Sequence, residues 1–277
     1  MHQEANTELY RKIWADPNHH VECRLAIGEN GRLIDNSGDR LVFATSSGET
    51  IGILLGQSGA DSAYDETTLI SMRTSNNIFG GNKPAIGVCP SAEIDVEMLK
   101  PTANFGKRAR LVPYVRLTDD DGEYTDWMQK GVYYIDTREY TPSDYGLAHM
   151  TLHGYDMMLQ LEEDFPSYTG AWVNKTDMDV IRIIANHYNF DLDDSVMQMV
   201  TKGYIVPLPT MYSCRETLGY IAAMYAGCFT FNDEGNLQLI TLYSIPRETG
   251  NITDEIGYEL VFGYEDSGDP IHIRVVL

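Results

Sequence analysis

The sequence predicts an α+β protein, in which an antiparallel, barrel-like β-domain precedes a smaller helix-containing domain. Short apolar runs alternate with turn residues through the first 165 residues, and this pattern is typical of antiparallel sheet. After Phe165-Pro166 the apolar residues recur at helical spacing instead. The 277 residues are 43% apolar and 10% aromatic, which is enough for substantial cores.

The strands are predicted from period-two alternation. Its clearest example runs from Ser91 to Met98, where apolar residues alternate with serine and acidic residues. An Asn30-Gly31 turn follows the first strand, and the acidic turn 119–122 joins two later ones into a hairpin. Residues 57–82 are interpreted as a long loop with one strand near Leu69. The strand candidates are 21–27, 32–34, 41–45, 49–55, 69–72, 91–98, 110–117, 126–137 and 147–153.

The helices are predicted from apolar stripes and end signals. Thr176 with Asp179, and Ser213 with Glu216, have the spacing of capping boxes at helix starts. Gly227 is predicted to end the second of these helices. Two shorter helices are expected at 155–162 and 193–202, a hairpin at 228–242, and strands at 258–262 and 271–276.

These elements predict three regions along the chain. Residues 1–165 are expected to form the β-rich, barrel-like domain, and residues 166–250 the α+β helical domain. Residues 251–277 are expected to begin an incomplete second β-domain.

The charge balance argues against two classes of partner. The chain has 20 Lys and Arg against 41 Asp and Glu, a net charge of −21. Nucleic-acid backbones and anionic membrane surfaces are bound by basic patches, so neither is expected as a specific partner. No apolar run is long enough for a membrane-spanning helix, and the first fourteen residues lack the apolar segment of a secretion signal.

Residues with metal-binding or catalytic side chains lack the spacing of known sites. We interpret the close pairs and runs of such residues as structural and not as metal ligands, and the four widely spaced cysteines as buried free thiols. The run at 191–194 places negative charge at a helix start, where the helix dipole favours it. We therefore expect no catalytic, cofactor-binding or metal-binding residue, no cofactor and no enzymatic activity. The residues interpreted as structural are His19, His20, Cys23, His149, His153, Asp119, Asp120, Asp121, Glu123, Asp191, Asp193 and Asp194.

Several segments resemble one family in order and spacing. GVCPSAEIDVEML at 87–99 is similar to a cysteine–small residue–Glu–strand segment of prophage tail hub proteins. The later segments RLVPYVRL, WMQKGVYYID, LHGYDMML and SCRETLGYIAAMYAG follow in the same order, at 110–117, 127–136, 152–159 and 213–227. These segments are strand, turn and cap signatures, and none is a catalytic motif. The chain thus resembles the phage and prophage tail-tip baseplate hub family, including the N-terminal structural region of tail-associated lysins.

The resemblance implies a structural role. It implies a homotrimeric ring or cup that docks on the distal tail protein, contacts the tape-measure protein and closes the tail tube. The protein would be made in the bacterial cytoplasm and reside at the virion tail tip. Interfaces are rich in Tyr, Trp and Met, of which this chain has 18, 3 and 12. The alternatives are a peptidoglycan hydrolase, or a carbohydrate-binding module with clustered tryptophans.

Overall fold

The computed structural model divides the chain into two compact units, Met1–Thr241 and Leu242–Leu277. It describes residues 3–28, 42–44, 50–52, 62–76, 85–101, 105–106, 108–142, 148–168, 170–241, 258–264 and 270–275. The predicted Asn30-Gly31 turn and the strand at 32–34 lie outside these residues.

The first unit contains five helices and twelve strands among its described residues. The helices are α1 (Gln3–Trp14), α2 (Met157–Gln160), α3 (Asp177–Tyr188), α4 (Asp194–Met199) and α5 (Cys214–Met224). The strands are β1 (His20–Gly28), β2 (Val42–Ala44), β3 (Thr50–Gly52), β4 (Ser62–Tyr64), β5 (Leu69–Ser75), β6 (Glu93–Leu99), β7 (Arg110–Thr118), β8 (Met128–Gln129), β9 (Tyr133–Thr141), β10 (His149–Tyr155), β11 (Gly227–Phe231) and β12 (Leu237–Thr241).

An eight-stranded antiparallel sheet dominates this unit and confirms the predicted α+β class. Seven strands follow the order β4-β1-β7-β9-β10-β6-β5, and β8 pairs with β7. The terminal strands β4 and β5 are joined by only residues 65–68, and β1 also contacts β5. The sheet therefore curls strongly, although no β4–β5 ladder is present in the described residues and the barrel is not closed.

The alternation predicted for the best strand determines which face it buries. In β6 the side chains of Ile94, Val96 and Met98 are almost completely buried, whereas Glu93 and Asp95 are exposed. Because β1 belongs to the same curled sheet, its inward residues join the same apolar core. That core also includes Leu25, Ile27, Leu111, Tyr133, Ile135 and Leu152.

Two strand predictions are wrong, and one helix forms where none was predicted. Residues 57–82 carry two strands, β4 and β5, instead of one, because each pairs with an edge of the curled sheet. The predicted strand at 126–137 is two strands, interrupted around Gly131, whose φ is +114°. The helix α1 was not anticipated, and its Ile13 is 1% exposed.

The helical layer is built on capped helices. Thr176 and Ser213 each accept a hydrogen bond from the backbone of the residue three positions later, and both predicted capping boxes are present. A second apolar core is enclosed by these two helices, which are α3 and α5, together with α2, α4 and the β11–β12 hairpin. Its largest fully buried members include Tyr188 and Phe229.

The predicted cap at Gly227 was wrong. The left-handed residue after α5 is Ala226, with φ +50°, and Gly227 is already the first residue of β11. A Cβ at Gly227 would lie 2.5 Å from the carbonyl oxygen of Ile240. The glycine is therefore needed for close strand pairing and not for ending the helix.

The sheet and the helical layer are joined by close backbone contacts. The Gly87 N–H donates to the Gly227 carbonyl at 2.8 Å, and a Cβ at Gly219 of α5 would lie 2.6 Å from the Gly87 carbonyl oxygen. Arg215 donates from Nε to the Cys89 carbonyl at 2.6 Å. The segment before β6 therefore packs directly on α5.

The second unit contains one described hairpin, formed by β13 (Tyr258–Tyr264) and β14 (Pro270–Val275). These strands match the predicted segments 258–262 and 271–276. The division into domains at 1–165, 166–250 and 251–277 stays a prediction.

Candidate docking surfaces

An uncharged groove lies along the outer side of α5. It has a volume of about 420 Å³. Met211, beside it, is 89% exposed, and the lining residues Tyr220 and Ile205 are 59% and 60% exposed. The groove is lined by Ile205, Val206, Pro207, Leu208, Pro209, Tyr212, Thr217, Tyr220, Ile221 and Met224.

The groove exists because α5 is apolar on two sides. Leu218 and Ala222 point into the core of the helical layer and are completely buried. Tyr220 and Met224, four residues apart, lie on the opposite side, where they share one helix face. The outer side of α5 therefore contributes exposed apolar side chains to the groove.

A stack of aromatic rings and guanidinium groups lies on the outer face of β1 and β7. We call it the arginine–aromatic stack, in the order Tyr114, Arg24, Trp127, Arg116 and Tyr124. Each guanidinium carbon lies 4.6–5.3 Å from the centres of two neighbouring rings. Such cation–π contacts are worth about 0.5–2 kcal/mol each, depending on exposure.

The two arginines of the stack differ in their charge partners. Arg116 donates from Nε and from a terminal nitrogen to Glu22, at 2.8 and 2.6 Å, and these hydrogen bonds help to lower the pKa of Glu22. The largest contribution to that lower pKa is the hydrogen bond from the Thr118 hydroxyl. Arg24 forms no ion pair within the described part of the chain, and its Nε is buried without a hydrogen-bond partner.

The outer face of β6, β10 and β9 is acidic. Thr151 of β10 is flanked by Glu97 on one neighbouring strand and by Glu139 on the other. We call this row of Glu97, Thr151 and Glu139, with the neighbouring outward residues of the same strands, the acidic sheet face. The face also carries Glu93, Asp95, His149 and His153.

A mixed cleft of about 700 Å³ lies where the sheet meets α5. Its walls include Glu93, Tyr155, Glu162 and Arg215. Arg215 forms an ion pair with Glu162, so this cation is already held by a carboxylate and by the Cys89 carbonyl. The cleft wall is therefore a structural junction.

Asp156 is a buried carboxylate at the same junction. Its two oxygens accept hydrogen bonds from the N–H groups of Ala92, before β6, and Met158, in α2, both at 3.0 Å. Burial raises the pKa of Asp156 to about 7, although both hydrogen bonds oppose that rise. A small cavity of about 90 Å³ beside it is lined by Lys130 and Tyr133, among others.

The histidines weighed as ligands contact single carboxylates or carbonyls and, for His19 and His153, also an aromatic ring. His149 and His153 lie on β10, as predicted, and their Nδ1 atoms lie 3.4 Å from Glu97 and 2.6 Å from Asp95. His19 Nδ1 lies 2.6 Å from a backbone carbonyl, that of Asp16. His20 lies 3.5 Å from Asp120, and Cys23 lies on β1.

The acidic runs serve turns and helix starts. Asp119 accepts a hydrogen bond from the Glu123 N–H at 2.7 Å in the predicted turn. Asp193 caps α4, where burial alone would raise its pKa, but hydrogen bonds from Ser195 and Asn232 lower it. Asp194 is in the first turn of α4, and Asp191 precedes it. Among the described residues, no three His, Cys, Asp or Glu side chains are arranged to hold a metal ion.

The cysteines are free thiols, and three of the four are buried. Burial raises the pKa of the Cys89 thiol to about 12, and it also raises the pKa of Cys23 and Cys228. These thiols are therefore protonated at neutral pH, which makes them weak nucleophiles. No helix in the described ranges is long and apolar enough to cross a membrane.

Sequence reasoning missed both the groove and the stack. Tyr220 and Met224 fall outside the apolar stripe predicted for α5, and this second apolar face was the available signal for the groove. The stack had no local signal, because Arg24 and Trp127 are distant in sequence and meet only through the pairing of β1, β7 and β8.

Similarity to known proteins is found among solved structures. No protein-family model matches the chain. No curated protein matches it. A solved structure with a similar chain path is the 43 kDa tail protein of prophage MuSo2 from Shewanella oneidensis, with 14% sequence identity and a TM-score of 0.48. The similarity covers 79% of this chain but only 53% of that protein's length.

Proposed function

We propose that this chain is a structural protein of a phage, prophage or phage-tail-like particle and acts at the tail tip. The observation that carries the proposal is the exposed, uncharged groove on α5, with Tyr220 and Met224 on its wall. Exposed apolar grooves in soluble proteins are covered in assemblies. The segments that resemble tail hub proteins lie on β6 to β10, α2 and α5, and α5 lines the groove.

In its finer form the proposal is a baseplate hub. Three copies form a ring or cup that docks on the distal tail protein and closes the tail tube, with the tape-measure protein as a further partner. The net charge of −21 agrees with this role, because DNA passing near an acidic surface would be repelled and would not stick.

The groove is proposed as the surface for the distal tail protein. Every residue that lines it is uncharged, so an apolar segment is the partner chemistry that fits. Tyrosine suits such a contact because its ring buries a large area while its hydroxyl keeps a hydrogen bond at the rim. The rings of Tyr212 and Tyr220 pack edge to face with their centres 5.1 Å apart, and both residues line the groove.

The proposed role is not enzymatic. The deeply buried carboxylates Asp156 and Asp177 are occupied by structural hydrogen bonds: Asp156 caps α2, and Asp177 accepts from the hydroxyl of Tyr225. Incubation with purified peptidoglycan is expected to release no soluble fragments. Steady release that depends on the folded chain would replace this proposal with the hydrolase alternative.

The carbohydrate-binding alternative required clustered tryptophans. Trp14 packs with Tyr10 and His19 at α1, whereas Trp127 lies in the arginine–aromatic stack. Trp172 contacts Phe165 and Tyr168 in the helical layer. Each tryptophan thus has its own set of neighbours, and no observation favours this alternative.

A binding measurement with the distal tail protein of the same particle tests the groove. Tyr220→Ser is expected to weaken binding at least tenfold, because large aromatic residues dominate interface energies. Tyr140→Ser is the matched control, since Tyr140 is 51% exposed on β9, away from the groove. Equal affinity for all three proteins, or no binding by any of them, would overturn the proposed docking.

A further inference from the structure

We draw no further inference here: the strongest candidate, the mixed cleft of about 700 Å³ where the curled sheet meets α5, belongs to the structural junction already described, because its Arg215 is held by Glu162 and by the Cys89 carbonyl and nothing in the described residues points to a ligand.

Discussion

The curled sheet and the helical layer are stabilised in different ways and expose different surfaces. In the sheet, alternation along β6 buries one face and leaves the other charged. In the helical layer, capping side chains accept hydrogen bonds from the free backbone N–H groups at the starts of helices, and the outer side of α5 is apolar. One compact unit thus exposes a charged sheet face and an apolar groove. Because the two surfaces share no residues, substitutions on one surface leave the other unchanged, and the role of each surface can be tested separately.

The largest expected effect tests whether the two layers unfold together. Leu218→Ala in the helical core and Ile94→Ala in the sheet core each remove a fully buried side chain. Each is expected to lower the free energy of unfolding by about 2–5 kcal/mol, because a cavity remains. Since both layers belong to one compact unit, either substitution is expected to shift the same thermal transition.

Calorimetry distinguishes this result from independent domains. If each substitution shifted a different transition, the layers would be separate folding domains, as the predicted boundary at residue 165 requires. Tyr220→Ala on α5 is the surface control, and its thermal midpoint is expected to stay near that of the wild type.

The junction between the layers is expected to respond to pH. The pKa of Asp156 is about 7 in the folded chain and roughly 3.9 when unfolded, so the folded state binds the extra proton between these values. Asp156 therefore makes its full contribution to the free energy of unfolding below about pH 4. That contribution is lost as the pH rises towards 7, by roughly 1 kcal/mol per pH unit.

Asp156→Asn removes that titration. Denaturant unfolding from pH 5 to 8 is expected to show a stability decline in the wild type that is reduced in the variant. Identical pH slopes for the two proteins would show that Asp156 does not titrate in this range. Asp233→Asn, beside the same small cavity but exposed, serves as the control.

A smaller effect is expected at the start of α5. Ser213 accepts a hydrogen bond from the Glu216 N–H at 3.1 Å, and Glu216 accepts one from the Ser213 N–H at 2.8 Å. Ser213→Ala is expected to cost about 1 kcal/mol, measured by chemical denaturation. Thr210→Ala, at an exposed position in the preceding turn, should cost much less, and equal losses would argue against a specific cap.

The smallest effect is expected at the tip of the β7 turn. Lys12 of α1 pairs with Glu123 at 2.5 Å, and both side chains are more than half exposed. Lys12→Ala is expected to leave the thermal midpoint unchanged, because solvent and salt screen an exposed pair. A clear loss of stability would mean that α1 depends on this contact.

Local signals explain what the sequence could predict. The β6 alternation and the capping boxes at Thr176 and Ser213 were read correctly, because each involves residues within a few positions of one another. The cap at Gly227 was misassigned, since that glycine is required by the distant Ile240 carbonyl. The same limit applies to the surfaces: Arg24 meets Trp127 only after three strands have paired.

The proposed trimeric hub is tested by the mass of the purified full chain, measured by light scattering alone and with the distal tail protein. We expect three copies of the 31.2 kDa chain, and a larger complex when the partner is added. A strict monomer in both measurements would contradict a role in tail assembly.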